Sequence, residues 1–175
     1  IGRHMTDEIA KVAVVTGSAR GIGRATAQRF LEDGWRVALL DIDGETLSHT
    51  ETALGNSGEI MAVICDVAEP EQVQAAIDNV VERFGRIDAL VNNAGTNVPM
   101  GFLEADIETL DLMVNLNIRA AFLVAQAAAR IMDRQGGGVI IHLSSTFGKV
   151  GRQGASIYSG TKHFIEGLTK STAVE

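Results

Sequence analysis

Tyr158 and Lys162 stand four residues apart, a spacing that places a phenol and an ammonium on one face of a helix. Ser144-Ser145 precedes them at the end of the apolar run Val139–Leu143, with Ser145 thirteen positions before Tyr158. A hydroxyl, a phenol and a cation in one place suit proton transfer to and from a bound oxygen. The magnitudes permit it. An unperturbed tyrosine titrates near ~10. A lysine cation about 4 Å away contributes on the order of 4 kcal/mol at an effective dielectric near 20, which brings the phenol within reach of neutral pH. Tyrosine and lysine also meet at this spacing as ordinary surface pairs, so the rest of the chain has to give the motif its meaning.

A second constellation lies near the N-terminus. Val12-Ala13-Val14-Val15 is short, apolar and β-branched, which predicts a strand buried on both faces. Thr16-Gly17-Ser18-Ala19-Arg20-Gly21-Ile22-Gly23 interrupts it with three glycines. Ala25, Ala27, Phe30 and Leu31 then recur as on an amphipathic helix. A strand entering a helix through such a turn leaves free N–H groups at the helix start, where the helix dipole also favours a diphosphate. The glycines would supply a tight turn, close approach of phosphate to backbone, and close helix–strand packing. The order G-x-x-x-G-x-G differs from the standard dinucleotide fingerprint G-x-G-x-x-G. Asp41 follows Gly23 by 18 residues, close to where an acidic side chain meets a ribose hydroxyl in dinucleotide folds. Capping the helix that starts at Asp43 is its alternative use. Asp66, followed by Val67, is either a turn residue or a hydrogen-bond partner for an adenine.

The elements that must carry these groups alternate. Trp35–Leu40, Glu59–Cys65, Ile87–Val91 and Val139–Leu143 read as further strands. Helical patterns cover Asp43–Leu54, Glu71–Phe84 after Pro70, Asp106–Arg134, and Ser156–Glu175. Gly55-Asn56 and Gly136-Gly137-Gly138 supply helix stops. Strand–helix alternation predicts an α/β domain: a doubly wound, Rossmann-type parallel sheet with right-handed crossovers. Ligands bind such sheets at the carboxyl ends of the strands, where the glycine turn, Asp41, Asp66 and Asn92-Asn93 all fall.

Composition bounds the function. A chain of 175 residues, 46% hydrophobic and 21% charged, fits one globular domain. A net charge of -7 without a Lys/Arg cluster argues against nucleic acid and anionic membrane as partners. The apolar stretch Ala120–Ala129 is too short to span a bilayer. Ile1–Met5 reads as an expression-tag remnant, leaving 6–175 as the domain. The lone Cys65, within an apolar run, reads as a buried thiol of a reducing, cytoplasmic compartment. His142 reads as a core-facing strand residue, and no metal site is expected.

Taken together, Thr16-Gly17-x-x-x-Gly21-Ile22-Gly23, Asn92-Asn93-Ala94-Gly95, Asn117, Ser145 and Tyr158-x-x-x-Lys162 resemble the short-chain dehydrogenase/reductase family, from about Lys11 to Glu175 and in the right order. The resemblance implies an oxidoreductase moving a hydride between a nicotinamide and a secondary alcohol/ketone pair. It makes Tyr158 the general acid/base, Lys162 its electrostatic partner and a ligand of the nicotinamide ribose, and Ser145 a donor to the substrate oxygen. Asn117 would kink its helix and hold a water linking Lys162 to solvent. Asn115 competes for that role, but the register with Phe122 favours Asn117. Gly17, Ser18, Arg20, Gly21, Ile22, Gly23, Asp41, Asp66, Val67, Asn93, Ala94 and Gly95 would hold the cofactor, with Asn92 bracing the sheet. Arg152 and Gln153 fall where members build a wall of the substrate pocket. Members normally continue past the position of Glu175 with a further strand and a substrate-covering segment, so the sequence reads as C-terminally incomplete. The competing reading is a dinucleotide-binding sensor without catalysis. Arg20 could pair with a 2′-phosphate, whereas Asp41 would repel it, so NAD is expected over NADP. A homodimer or homotetramer through helices 106–134 and 156–175 is expected, because both carry more apolar surface than one domain needs.

Overall fold

A computed structural model describes residues 10–175; the segment 1–5, read above as a tag remnant, lies outside the described residues. Five parallel strands form one sheet in the order β3-β2-β1-β4-β5. They are β1 (Val12–Thr16), β2 (Arg36–Asp41), β3 (Ile60–Ile64), β4 (Ala89–Asn92) and β5 (Val139–His142). The doubly wound sheet expected from the alternation is the one that forms.

Burial on both faces explains why the inner strands β1, β2 and β4 read as unbroken apolar runs, while the edge strands β3 and β5 stay partly exposed. Val12 and Val14 with Ala38 and Leu40 face one core, into which helices α3 (Pro70–Phe84) and α5 (Ala121–Gln135) pack. Ala13 and Val15 with Val37 and Leu39 face the other, beneath α1 (Gly21–Glu32) and α2 (Gly44–Leu54). Alternate residues therefore serve opposite layers, and none of these positions can be polar without a buried, unpaired group. The central strand β1 is locked to β4 at its start, where Val12 donates its N–H to Asp88 Oδ2 at 2.8 Å. Burial opposes charge on Asp88, but Arg86, bonded to both its oxygens, and the Val12 N–H hold its carboxyl below the usual carboxylate range.

Local chemistry sets most helix boundaries. Asp43 and Asp106 cap α2 and α4 (Ile107–Val114) by accepting the N–H groups of Thr46 and Thr109. Pro70 opens α3, and Gly85 and Gly136 close α3 and α5 in the left-handed conformation. Two helix ends differ in detail from the sequence expectation, and β2 to β5 shift by one or two residues at their ends. Gly55 stays right-handed, so α2 ends without a left-handed glycine cap. The last helix, α6 (Ser156–Thr172), stops three residues before Glu175.

The expected long helix 106–134 is a composite. Between α4 and α5, Asn115–Ala120 forms a π-helical segment, so one continuous helix runs from Ile107 to Gln135. Its 29 residues are long and apolar enough to cross a bilayer, which corrects the length argument made from Ala120–Ala129 alone. The apolar composition has a nearer cause. Val124, Ala125, Ala128, Ile131 and Met132 are buried in the domain's own core.

Candidate active site

A cavity of about 800 Å³ runs along the carboxyl ends of the strands. Gly17, Arg20 and Ile22 line it after β1, Asp41 after β2, Asp66 and Val67 after β3, and Asn93, Ala94 and Gly95 after β4. Leu143 and Ser144 after β5 and Tyr158 and Lys162 from α6 line its other end. The fold thus joins the two constellations of the sequence, at opposite ends of the chain, into one space.

The glycine turn is built as its composition predicts. Gly17 and Gly21 have φ of +63° and +57°, a region costly for residues with a Cβ. A Cβ on Gly17 would also lie 2.9 Å from Asn93 Nδ2, and one on Gly23 would overlap the Gly17 carbonyl oxygen. Nothing lies within 4 Å of the Cβ position of Gly21, which leaves the turn open on that side. Thr16, to which the sequence patterns gave no role of its own, fastens this turn to the next strand. Its Oγ1 accepts the N–H groups of Asn93 and Ala94 at 3.0 and 2.9 Å, while Asn93 Nδ2 donates to the carbonyls of Thr16 and Gly17. A threonine just before a glycine turn was the available signal, since its hydroxyl can accept from a neighbouring strand end.

Asp41 is pinned at both oxygens, Oδ2 by the Ala19 N–H at 2.9 Å and Oδ1 by the Asp43 N–H at 3.0 Å. The cap of α2 is Asp43, so Asp41 faces the cavity instead of serving that helix. Arg20 reaches Asp43 at 3.3 Å in an exposed pair. Asp66 holds its own turn through the Ala68 N–H at 2.9 Å and lines the cavity as well. Cys65 beside it is buried, and that burial, with Asp66 adding to it, pushes the thiol up to about 11. It is a packing residue, protonated at neutral pH.

At the far end, Lys162 Nζ donates to the Leu143 carbonyl at 2.6 Å and sits 5.7 Å from the Tyr158 ring centroid. Burial holds the Lys162 ammonium below its usual pKa. Ser145 Oγ accepts the Phe147 N–H at 3.2 Å, capping a short 3₁₀ turn, Thr146–Gly148. One lone pair is then engaged, and the hydroxyl hydrogen stays free to donate. His142, half-buried, has Nδ1 3.4 Å from Asn92 Nδ2; burial first, and the Lys162 charge second, push its imidazole below the usual value. Asn92 braces sheet to helix, donating to the Ala121 carbonyl at 2.6 Å.

Several expected site residues sit elsewhere. Ser18 is fully buried with its hydroxyl bonded to the Leu40 carbonyl, and it does not line the cavity. Gly21, Gly23 and Ser145 are not among the residues lining the cavity, although each adjoins one that is: Arg20 and Ile22 beside Gly21, Ile22 beside Gly23, and Ser144 beside Ser145. Asn117 is buried in the π segment and its amide is fully engaged. Oδ1 accepts the Thr96 N–H, while Nδ2 donates to the Thr96 carbonyl at 2.8 Å and to Thr161 Oγ1 at 3.2 Å. It ties the loop after β4 to α6. Asn115 lines the cavity instead. Arg152 and Gln153 are exposed and outside the lining, and the Arg152 guanidinium lies 5.2 Å over the Phe147 ring.

A family model described as short chain dehydrogenase matches residues 11–175. Levodione reductase from Leifsonia aquatica is 35% identical over 172 residues, spanning 94% of this chain and 63% of that protein. The 3alpha-hydroxysteroid dehydrogenase of Mediterraneibacter gnavus is 39% identical, over 94% of this chain and 67% of its own length. Among solved structures, NAD+-bound xylitol dehydrogenase superposes with a TM-score of 0.92 at 34% identity, covering 95% of this chain and 65% of that one. The chain therefore spans about two thirds of the length of the relatives it matches.

Proposed function

Because this chain belongs to the short-chain dehydrogenase family, we propose that it transfers a hydride between NAD and a secondary alcohol/ketone pair, with Tyr158 as general acid/base. Members of the family are oxidoreductases that bind a nicotinamide cofactor. The observation that carries the finer reading is the single cavity running from the Gly17 turn to Tyr158 and Lys162.

The residues present fit a dinucleotide. The turn's open side at Gly21 leaves room for a diphosphate at the start of α1. Asp41, fixed at a strand end, accepts from ribose hydroxyls. Lys162 has one N–H on Leu143 and two more donors for the other ribose and for Tyr158. The nicotinamide, when bound, supplies or takes up the hydride. Tyr158 exchanges the proton with the substrate oxygen, Ser145 donates to that oxygen, and Lys162 stabilises negative charge on the phenol. Two neighbouring structures, xylitol dehydrogenase and a Burkholderia phymatum dehydrogenase/reductase, are NAD complexes, which supports NAD here. The buried free Cys65 supports a reducing, cytoplasmic location.

The test follows reduced-nicotinamide absorbance against a panel of secondary alcohols and ketones. The wild type is expected to turn over at least one of them with NAD. Tyr158→Phe, which keeps the ring and removes the proton, is expected to lose about 100-fold or more in turnover while binding NAD. NAD binding with no turnover by the wild type would favour the sensor reading instead.

A further inference from the structure

We propose that Phe147 is a positioning residue that holds the Tyr158 ring and the Ser145 hydroxyl in one fixed relation; this rests on the dehydrogenase reading above. Phe147 touches both groups by independent contacts. Its N–H is bonded to Ser145 Oγ, which fixes that hydroxyl's acceptor side. Its ring meets Tyr158 edge-on, with centroids 5.7 Å apart and planes at 77°, the arrangement in which a positive ring edge meets a negative face. Its carbonyl accepts the Ser159 hydroxyl at 2.7 Å, and Ser159 is the buried neighbour of Tyr158 on α6.

The turn bearing Phe147 has little room to move. A Cβ on Gly148 would lie 2.5 Å from Ser144 Oγ and 2.8 Å from the Lys162 carbonyl oxygen, so turn and helix are in direct backbone contact. Ser144 Oγ donates to that same carbonyl at 3.3 Å. The Arg152 guanidinium lies 5.2 Å from the centroid of the Phe147 ring, within cation–π reach. Arg152 thus acts on the ring that orients Tyr158. A tyrosine has a ring that turns about its own axis and a hinge at Cα; α6 fixes the hinge and brings Lys162 Nζ to 5.7 Å from the ring centroid, but supplies no aromatic edge against it. The edge contact restrains the ring.

Tyr158 is the only tyrosine in the chain, so its ring is observable by NMR of tyrosine-labelled protein whatever the activity. Phe147→Ala is expected to lower the order of the Tyr158 ring and to reduce kcat about tenfold or more, with KM for NAD unchanged. Phe147→Tyr, which restores an aromatic edge, is expected to recover most of kcat. Wild-type ring order or wild-type kcat in Phe147→Ala overturns the proposal, as does a Phe147→Tyr variant as slow as Phe147→Ala. A wild type inactive on every substrate rejects the dehydrogenase reading instead, and the ring order still decides whether Phe147 holds Tyr158.

Discussion

At the scale of single residues, the cofactor choice comes down to two side chains with unequal freedom. Asp41 is held by two N–H groups and stays turned to the cavity, while Arg20 is an exposed side chain paired with Asp43 at 3.3 Å. A 2′-phosphate carries about -1.5 to -2 charges at neutral pH, and a carboxylate about 4 Å away repels it by several kcal/mol at an effective dielectric near 20. The wild type is therefore expected to bind NAD over NADP, and Asp41→Ala to weaken NAD and strengthen NADP. Paired binding titrations check this; equal affinities in the wild type would refute it. Lys162 carries the opposite lesson. Its charge is buried at a cost to the fold, repaid in part by one hydrogen bond to Leu143. Lys162→Met is expected to keep Tm within a few degrees while turnover falls about 100-fold or more. A large drop in Tm would mark Lys162 as a structural residue.

At the scale of elements, the glycine turn separates conformational demand from steric demand. Gly21 needs a positive φ but has open space around its Cβ position, so Gly21→Ala is expected to cost about 1–2 kcal/mol of strain. Gly23 lies against the Gly17 carbonyl, so Gly23→Ala must push α1 away from β1. That overpacking is expected to cost about 1–3 kcal/mol and to displace the helix end that would hold the diphosphate. NAD affinity should therefore fall further in Gly23→Ala than in Gly21→Ala, which calorimetric titration beside thermal melts would show. The π segment is the second element with a local purpose. It carries Asn117 to the Thr96 backbone and to Thr161, joining three elements around the cavity.

For the whole molecule, the apolar character of the long helix divides into two parts. Val124, Ala125, Ala128, Ile131 and Met132 pack inside the domain, and Ile165 of α6 is buried there as well. Phe122 (42% exposed) and Phe164 (37%) remain at the surface on the same two helices, whereas the half-exposed Leu112 lines the cavity. Large side chains left exposed on neighbouring helices favour a protein partner, and a second copy is the partner expected. Sedimentation velocity at micromolar concentration is expected to show a dimer or tetramer, with Phe122→Glu shifting it toward monomer. A wild type that stays monomeric would reject the assembly.

The sequence by itself determined what local chemistry decides. Strand runs, the helix starts near Asp43 and Asp106, the stop at Gly136 and the glycine turn at 17 and 21 follow from side-chain type and spacing. So does the presence of Tyr158 and Lys162 on one helix face, because a four-residue step on a helix has one geometry. Only the tertiary structure decided which polar groups face the cavity and which face inward. Ser18 and Ile22 are neighbours in one turn, yet Ser18 is buried against Leu40 and Ile22 lines the cavity. Asn115 and Asn117 are two apart, and the π segment sends one to the cavity and the other to Thr96. Thr16 and Phe147 gained their roles from partners far away in sequence or on another element. Side-chain direction at a strand end or in a widened helical turn is set by packing against distant segments, and no spacing rule along the chain encodes it.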